Sequence, residues 1–261
     1  MKTLFARIAM IAAMTFAGAA QAAPDLSKTE IMGFKFGMTR DQIMPHAKTV
    51  LNKAREGGYS GQVMQVCFDE KKPNAKFPCT NNQQMLFHFT EDGKMFAMYR
   101  KAEVDKSEGK VPYAGYFQQA LDKYAPGKKF RPKSPVDVMA QNSFFLVQNP
   151  GQGIAFGDMG KPEVMVELKP EQALCAGAEV ERGLSTYKNA NVEKCGVVFE
   201  FTATPPAQEI MNPVSVDIVK MSAINYSILR ESINAKANAQ KAAAQKEATE
   251  MNSKPMKKHS F

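Results

Sequence analysis

A glycine turn followed by a capped helix, within residues 33–58, constrains the fold of this chain more than any other segment. Thr39 and Gln42 have the spacing of a capping box, in which each side chain satisfies a backbone N–H of the other residue at a helix start. Apolar residues then recur at helical spacing, and the glycine pair at 57–58 supplies a stop. Pro45 lies too deep in this helix to be accommodated freely, so we expect a kink or a restart near it.

Two units of helix and strand are predicted. In the first, residues 62–68, 85–89 and 95–101 alternate between apolar and polar side chains, as strands with one buried face do. In the second, an apolar stripe predicts a helix over 113–124, and strand-like runs follow at 143–148, 154–156, 163–168, 196–203 and 214–222. The predicted class is α+β, with two helix-on-antiparallel-sheet layers.

The predicted order of segments follows from these patterns. It is a signal peptide (1–23), an N-terminal α/β-meander unit (24–104), a polar linker (105–112), a second helix-plus-sheet unit (113–222), and a C-terminal helix with a basic tail (223–261).

The motif Gly-Met-Thr-Arg-Asp-Gln at 37–42, followed by a helix and by strands with an Asp-Gly turn, resembles a known opening segment. Small bacterial envelope proteins of the SmpA/BamE type begin in this way, as do many uncharacterised secreted bacterial proteins with the same α-β-β layout. The resemblance covers residues 33–101. It implies a non-enzymatic part in an envelope assembly.

The first 23 residues have the features of a secretory signal. Lys2 and Arg7 flank an apolar run that ends in small residues, with a cleavage site near Ala22 or Ala23. The run is short for a membrane span of about 20 residues, so we interpret it as a cleaved signal and not as an anchor. We therefore expect a periplasmic or secreted protein with no transmembrane segment in the mature chain.

Four cysteines in an exported chain predict two disulfides. Of the three connectivities, the local one is the simplest and pairs Cys67 with Cys79 and Cys175 with Cys195; the other two stay open. A zinc site made of Cys67, Cys79 and His88 is the alternative. It lacks a fourth ligand, and an oxidising compartment favours disulfides.

No pattern of catalytic residues stands out, and we expect no catalytic residue, cofactor or metal site. His46, His88 and His259 fall in different predicted elements, which disfavours a histidine-based site. Methionines could bind Cu(I). However, Met95 and Met98 lie three apart in a predicted strand and are expected on opposite faces, so core filling is the better interpretation.

Half of the formal net charge of +8 lies in the C-terminal segment, where seven Lys or Arg face three Glu from Arg230 onward. This segment is alanine-rich and predicts a solvated helix with a flexible end. The residues expected to dock its start are Ile224, Ile228, Leu229 and Ile233. Lys254, Lys257 and Lys258 are the candidate binding residues, for an anionic envelope surface. Nucleic acid is not an expected partner, because the chain between the predicted signal and this segment carries a net charge of only +2.

Two functions from different classes follow. The preferred one is an exported, non-catalytic binding or envelope-associated protein, with an envelope protein or an anionic surface as its partner. The alternative is an exported hydrolase that acts on a cell-wall or lipid substrate and uses two facing carboxylates as acid and base.

Overall fold

The structure is a computed structural model. It describes residues 25–51, 53–68, 79, 83–104, 109–130, 143–152, 154–158, 175, 193–210 and 212–253. The predicted signal peptide (1–23), the predicted strand at 163–168 and the candidate binding residues Lys254, Lys257 and Lys258 lie outside these residues.

The described residues form three α-helices and ten strands. The helices are α1 (Arg40–Val50), α2 (Tyr113–Tyr124) and α3 (Tyr226–Ser253). The strands are β1 (Glu30–Ile31), β2 (Phe34–Lys35), β3 (Arg55–Ser60), β4 (Val63–Cys67), β5 (Gln83–Phe89), β6 (Met95–Glu103), β7 (Ser143–Gln148), β8 (Ala155–Asp158), β9 (Val197–Thr204) and β10 (Ile218–Asn225). None of the described helices is both long enough and apolar enough to cross a bilayer.

Eight strands form one antiparallel sheet in the order β3-β4-β5-β6-β10-β9-β7-β8. The predicted α+β class is confirmed. At the centre of the sheet, β6 pairs with β10, so strands from the two predicted units share one continuous sheet. Both predicted disulfides are present, joining Cys67 to Cys79 and Cys175 to Cys195.

One face of the sheet, here called the helix face, carries the main core. Its apolar side chains lie side by side on neighbouring strands, as in the row Met64, Phe87, Met98, Ala223, Phe199 and Leu146, all of them buried. Helices α1 and α2 pack onto this face. The other face, here called the second face, has a smaller apolar cluster that contains Phe96, Val198 and Ile224.

Helix α1 begins as predicted. The backbone N–H of Thr39 donates to Oε1 of Gln42 at 2.9 Å, which forms one half of the capping box. The helix then runs unbroken through Pro45 to Val50, so the expected restart does not occur. Proline removes a single backbone donor here, and the burial of Ile43 beneath the helix offsets this loss.

The sequence predicted that the glycine pair at 57–58 ends α1, but this prediction is wrong, because α1 already ends at Val50. The pair lies in the edge strand β3, which the sequence analysis did not predict. The Cys67–Cys79 disulfide packs against Gly57, where an added Cβ would lie 2.8 Å from Sγ of Cys67 and 2.9 Å from Sγ of Cys79. A glycine therefore lets the strand pass close to the disulfide.

Met95 and Met98 do not face opposite sides of the sheet, so that prediction is wrong. The pairing of β5 with β6 shifts register between His88 and Phe89, which inserts an extra residue into β6. Both methionines are fully buried in the main core as a result, whereas Phe96 belongs to the cluster on the second face.

Helix α3 begins directly after β10 and leaves the body of the protein. Ile228 and Leu229 pack against the second face. Ile233, which was expected to dock, is 50% exposed, because the helix has already turned away from the sheet at that residue. Lys236 forms an ion pair of 2.7 Å with Glu91 in the β5–β6 turn, beyond which the described part of the helix is exposed.

Glu209 stabilises the segment that precedes β10, and this stabilisation depends on pH. Its Oε1 accepts from Nζ of Lys110 at 2.6 Å, and its Oε2 accepts from the backbone N–H and hydroxyl of Ser215, both at 2.8 Å. The ion pair with Lys110 and the bonds from Ser215 lower the pKa of Glu209 from 4.5 to about 2. The stability that this carboxylate contributes is therefore complete above its unfolded-state pKa and lost as the pH falls toward 2.

We expect Glu209→Gln to lower the free energy of unfolding at neutral pH, with a difference from the parent that shrinks as the pH falls from about 5 to about 2. Urea unfolding at a series of pH values measures this. Glu247→Gln, at an exposed position on α3, is the matched control and should leave the difference near zero throughout. A Glu209→Gln difference that does not vary with pH would contradict the assignment.

Candidate binding site

An arginine lies among apolar residues in the middle of one row on the helix face of the sheet. Arg100 of β6 lies directly between Met85 of β5 and Met221 of β10. Val66, Phe201 and Phe144 continue this row, and Glu56 of β3 and Asp158 of β8 end it at the two edges of the sheet, three and four strands away from Arg100. A cation in such a row contradicts the pattern of the remaining sheet, and conflicts of this kind concentrate at functional sites.

The guanidinium of Arg100 has no carboxylate partner among the described residues. Its electrostatic neighbours are the phenol groups of Tyr116 and Tyr124. Its Nε is buried and has no hydrogen-bond partner in the described part of the chain. Burial lowers the pKa of Arg100, yet a guanidinium titrates so far above neutrality that it stays charged. The result is a half-buried positive charge that the described part of the protein leaves uncompensated.

Tyr116 and Tyr124 extend from α2 toward this charge, and both rings are held in place. The ring of Tyr116 stacks on Phe201 with centroids 6.4 Å apart, and the ring of Tyr124 stacks on Phe199 at 4.3 Å. Burial raises the pKa of Tyr116, so its hydroxyl keeps its proton and can donate it. The stacked rings therefore hold two hydroxyl groups in position as hydrogen-bond donors.

These hydroxyls lack strong acceptors in the described structure. The hydroxyl of Tyr124 donates only to Sδ of Met221, at 3.9 Å, and a thioether is a weak acceptor. Three donor groups are thus electrostatic neighbours, and none of them forms a hydrogen bond to an oxygen acceptor among the described residues. Such an arrangement favours an anionic oxygen from outside the protein, because charge-assisted hydrogen bonds are the strongest that these groups can form.

The surroundings of Arg100 are apolar and partly accessible. Its guanidinium carbon lies 6.0 Å from the centre of the Phe68 ring, and Phe68, Tyr116, Tyr124 and Met221 are all half-buried. Helix α1 contacts β3 and β4, and helix α2 contacts β9. We call this group, Phe68, Arg100, Tyr116, Tyr124 and Met221, the helix-seam site.

None of the sequence patterns considered above predicted the helix-seam site. The signal that could have revealed it is the alternation Met98, Arg100, Ala102 along a predicted strand, which assigns Arg100 to the buried face. The residues that those patterns did predict as a binding site, Lys254, Lys257 and Lys258, lie outside the described residues.

The second face holds a chain of hydroxyl groups around one carboxylate. Glu200 accepts from the hydroxyl of Ser222 at 3.3 Å and from that of Thr202 at 3.5 Å, and Thr202 in turn lies 2.9 Å from Ser143. Glu200 is thus supplied with donors. In this respect its surroundings are the opposite of those around Arg100.

The carboxylates on the described part of the second face do not converge. Register places Glu103 and Glu200 two strands and four residues apart, which corresponds to about 16 Å between their Cα atoms. The hydroxyl groups of Ser222 and Thr202 also hold the carboxylate of Glu200. His88 is buried edge-on to Phe96, with ring centroids 6.3 Å apart. The described residues contain no group of three or more His, Cys, Asp or Glu that could hold a metal ion.

Comparison with protein-family models, with curated proteins and with solved structures finds no match to this chain.

Proposed function

We propose that this protein is an exported, non-catalytic binding protein that holds an organic anion at the helix-seam site. The observation that carries the proposal is the guanidinium of Arg100, which no described carboxylate compensates, beside two tyrosine hydroxyls that have no strong acceptor among the described residues. A ligand oxygen would satisfy all three groups at once. The two disulfides support the exported part, because such bonds persist in oxidising compartments.

The cell envelope is the proposed location. The signal-like residues 1–23 and the resemblance of residues 33–101 to SmpA/BamE-type proteins support this. The basic tail supports an auxiliary contact with an anionic envelope surface through Lys254, Lys257 and Lys258, which salt would weaken. Cell fractionation and N-terminal sequencing test the location. Recovery of an uncleaved chain from the cytoplasm would contradict it.

The binding role is tested by replacing Arg100 with methionine, which fits between Met85 and Met221. The variant should lose its ligand. It should also gain about 1 kcal/mol in the free energy of unfolding, because a desolvated and unpaired charge is removed. Mass spectrometry of solvent extracts from the purified proteins detects retained organic anions, and urea unfolding measures stability.

Lys101→Met is the matched control, because Lys101 is the next residue of β6 and points to the second face. It should retain the ligand at the parental level. If the parent and Arg100→Met retain the same anions, or if neither retains any, the helix-seam site is not a binding site for organic anions. A loss of stability in Arg100→Met would instead assign the arginine a structural role.

A further inference from the structure

We infer that the ligand of the helix-seam site is an amphipathic carboxylic acid, with one carboxylate and an adjoining alkyl or aromatic body. This inference rests on the proposed function and names the ligand class. It follows from the charge of the site, from the geometry of its donors and from the nature of its walls.

The charge of the site suits a monoanion. Arg100 is the one cation within the helix-seam site, and its guanidinium can donate two parallel N–H bonds to the two oxygens of a carboxylate. A phosphate monoester carries a charge of about −1.5 to −2 at neutral pH, so it would bring excess negative charge into a half-buried position. The nearby Lys123 is exposed, with its Nζ 4.9 Å from the ring centre of Tyr124, and it lies at the rim.

The donors are arranged for a single oxygen-bearing head group. Tyr116 and Tyr124 come from one helix, whereas Arg100 comes from the sheet below it. Their rings are held by Phe201 and Phe199, so little conformational entropy is lost when a ligand binds. We expect an oxygen that the guanidinium holds to accept from a phenol hydroxyl as well, because the two phenols are the electrostatic neighbours of Arg100.

The walls of the site suit an apolar body next to the carboxylate. The ring of Phe68, just beyond the end of β4, and the thioether of Met221 on the neighbouring strand β10 lie close to Arg100 and remain half-buried. Val104, half-buried and packed on the same core, continues this apolar surface beyond the end of β6. Burying an alkyl chain against these side chains contributes binding energy that a small inorganic anion cannot obtain. A short acid such as acetate should accordingly bind weakly.

The test is calorimetric titration of the full chain with dodecanoate, dodecyl phosphate, dodecanol and acetate. Bound ligand is first removed by solvent extraction and refolding. The micelle-forming probes are kept below their micellar concentrations. Dodecanoate should bind about tenfold or more tightly than dodecyl phosphate and dodecanol, and about 100-fold more tightly than acetate. Arg100→Lys should lower the affinity for dodecanoate about tenfold, because a lysine keeps the charge but loses the paired donors. Tyr116→Phe and Tyr124→Phe should each weaken it about three- to tenfold.

The outcomes separate the two proposals. Tighter binding of dodecyl phosphate that still requires Arg100 would overturn the carboxylate class and leave anion binding at this site intact. Equal affinity for acetate and dodecanoate would overturn the inference that the ligand carries an apolar body. Failure of all four probes would overturn the inference, and Arg100-dependent retention of other anions would then decide the proposed function. Binding that Arg100→Met leaves unchanged would overturn both proposals.

Discussion

Replacing Gly196 with alanine is expected to lower the free energy of unfolding by about 3 kcal/mol or more. Gly196 lies just before β9, and an added Cβ would overlap the backbone carbonyl oxygen of Gln148 and lie 2.9 Å from Cα of Asn149. These obstacles are backbone atoms of a buried strand end, so they cannot rotate away. The strands β7 and β9 would have to separate at this end of the sheet.

The substitution should also destabilise the start of α3, because Gly196 is hydrogen-bonded to it. Its carbonyl oxygen accepts from the backbone N–H of Tyr226 at 2.9 Å, and its own N–H donates to Oδ1 of Asn149 at 3.2 Å. Movement of Gly196 therefore disturbs both bonds. Urea unfolding monitored by circular dichroism gives the change in free energy, and we expect a shifted midpoint with an unchanged slope.

Gly115→Ala is the matched control for this substitution. Gly115 is exposed in the first turn of α2, where the nearest atom to an added Cβ is Cβ of Pro112 at 4.0 Å. Alanine should be neutral there or raise stability by up to about 1 kcal/mol, because it favours the helix. Equal effects of the two glycine substitutions would refute the packing argument at Gly196.

Removal of the Cys175–Cys195 disulfide is expected to have the second large effect. The bond closes a separation of 20 residues, which on the chain-entropy model corresponds to about 3 kcal/mol. Both cysteines are also buried in the apolar cluster on the second face, beside Phe96 and Val198. Replacing both by alanine should therefore cost the entropic contribution and a further loss of packing.

The Cys67–Cys79 pair provides the comparison. Its separation of 12 residues predicts an entropic contribution that is only slightly smaller, while its sulfur atoms pack on the edge strand at Gly57. We expect the replacement of Cys67 and Cys79 by alanine to lower the free energy of unfolding by less than the replacement of Cys175 and Cys195. Urea unfolding under oxidising conditions measures both variants, and a thiol assay should find no free cysteine in the parent. Four free thiols in the mature protein would contradict both predictions.

Local chemistry explains which elements the sequence predicted. The capping box at Thr39 and the apolar stripe over 113–124 act within one or two helical turns, and both helices begin where these patterns indicate. The local cysteine pairings also follow from chain proximity. In contrast, β3 carries two glycines and no alternating pattern, and it forms because β4 and a disulfide lie beside it.

The sequence by itself predicted the α+β class, the first two helices and most of the strands, because each depends on residues close together in the chain. It favoured the local cysteine pairing for the same reason, and the structure chose that pairing over the two other connectivities. Only the tertiary structure decided that β6 and β10 join the two units into one sheet. It also decided that Arg100, on β6, lies beside Tyr116 and Tyr124 of α2. Those residues approach one another through strand pairing and helix packing across long separations, and no local pattern encodes which distant partners will meet.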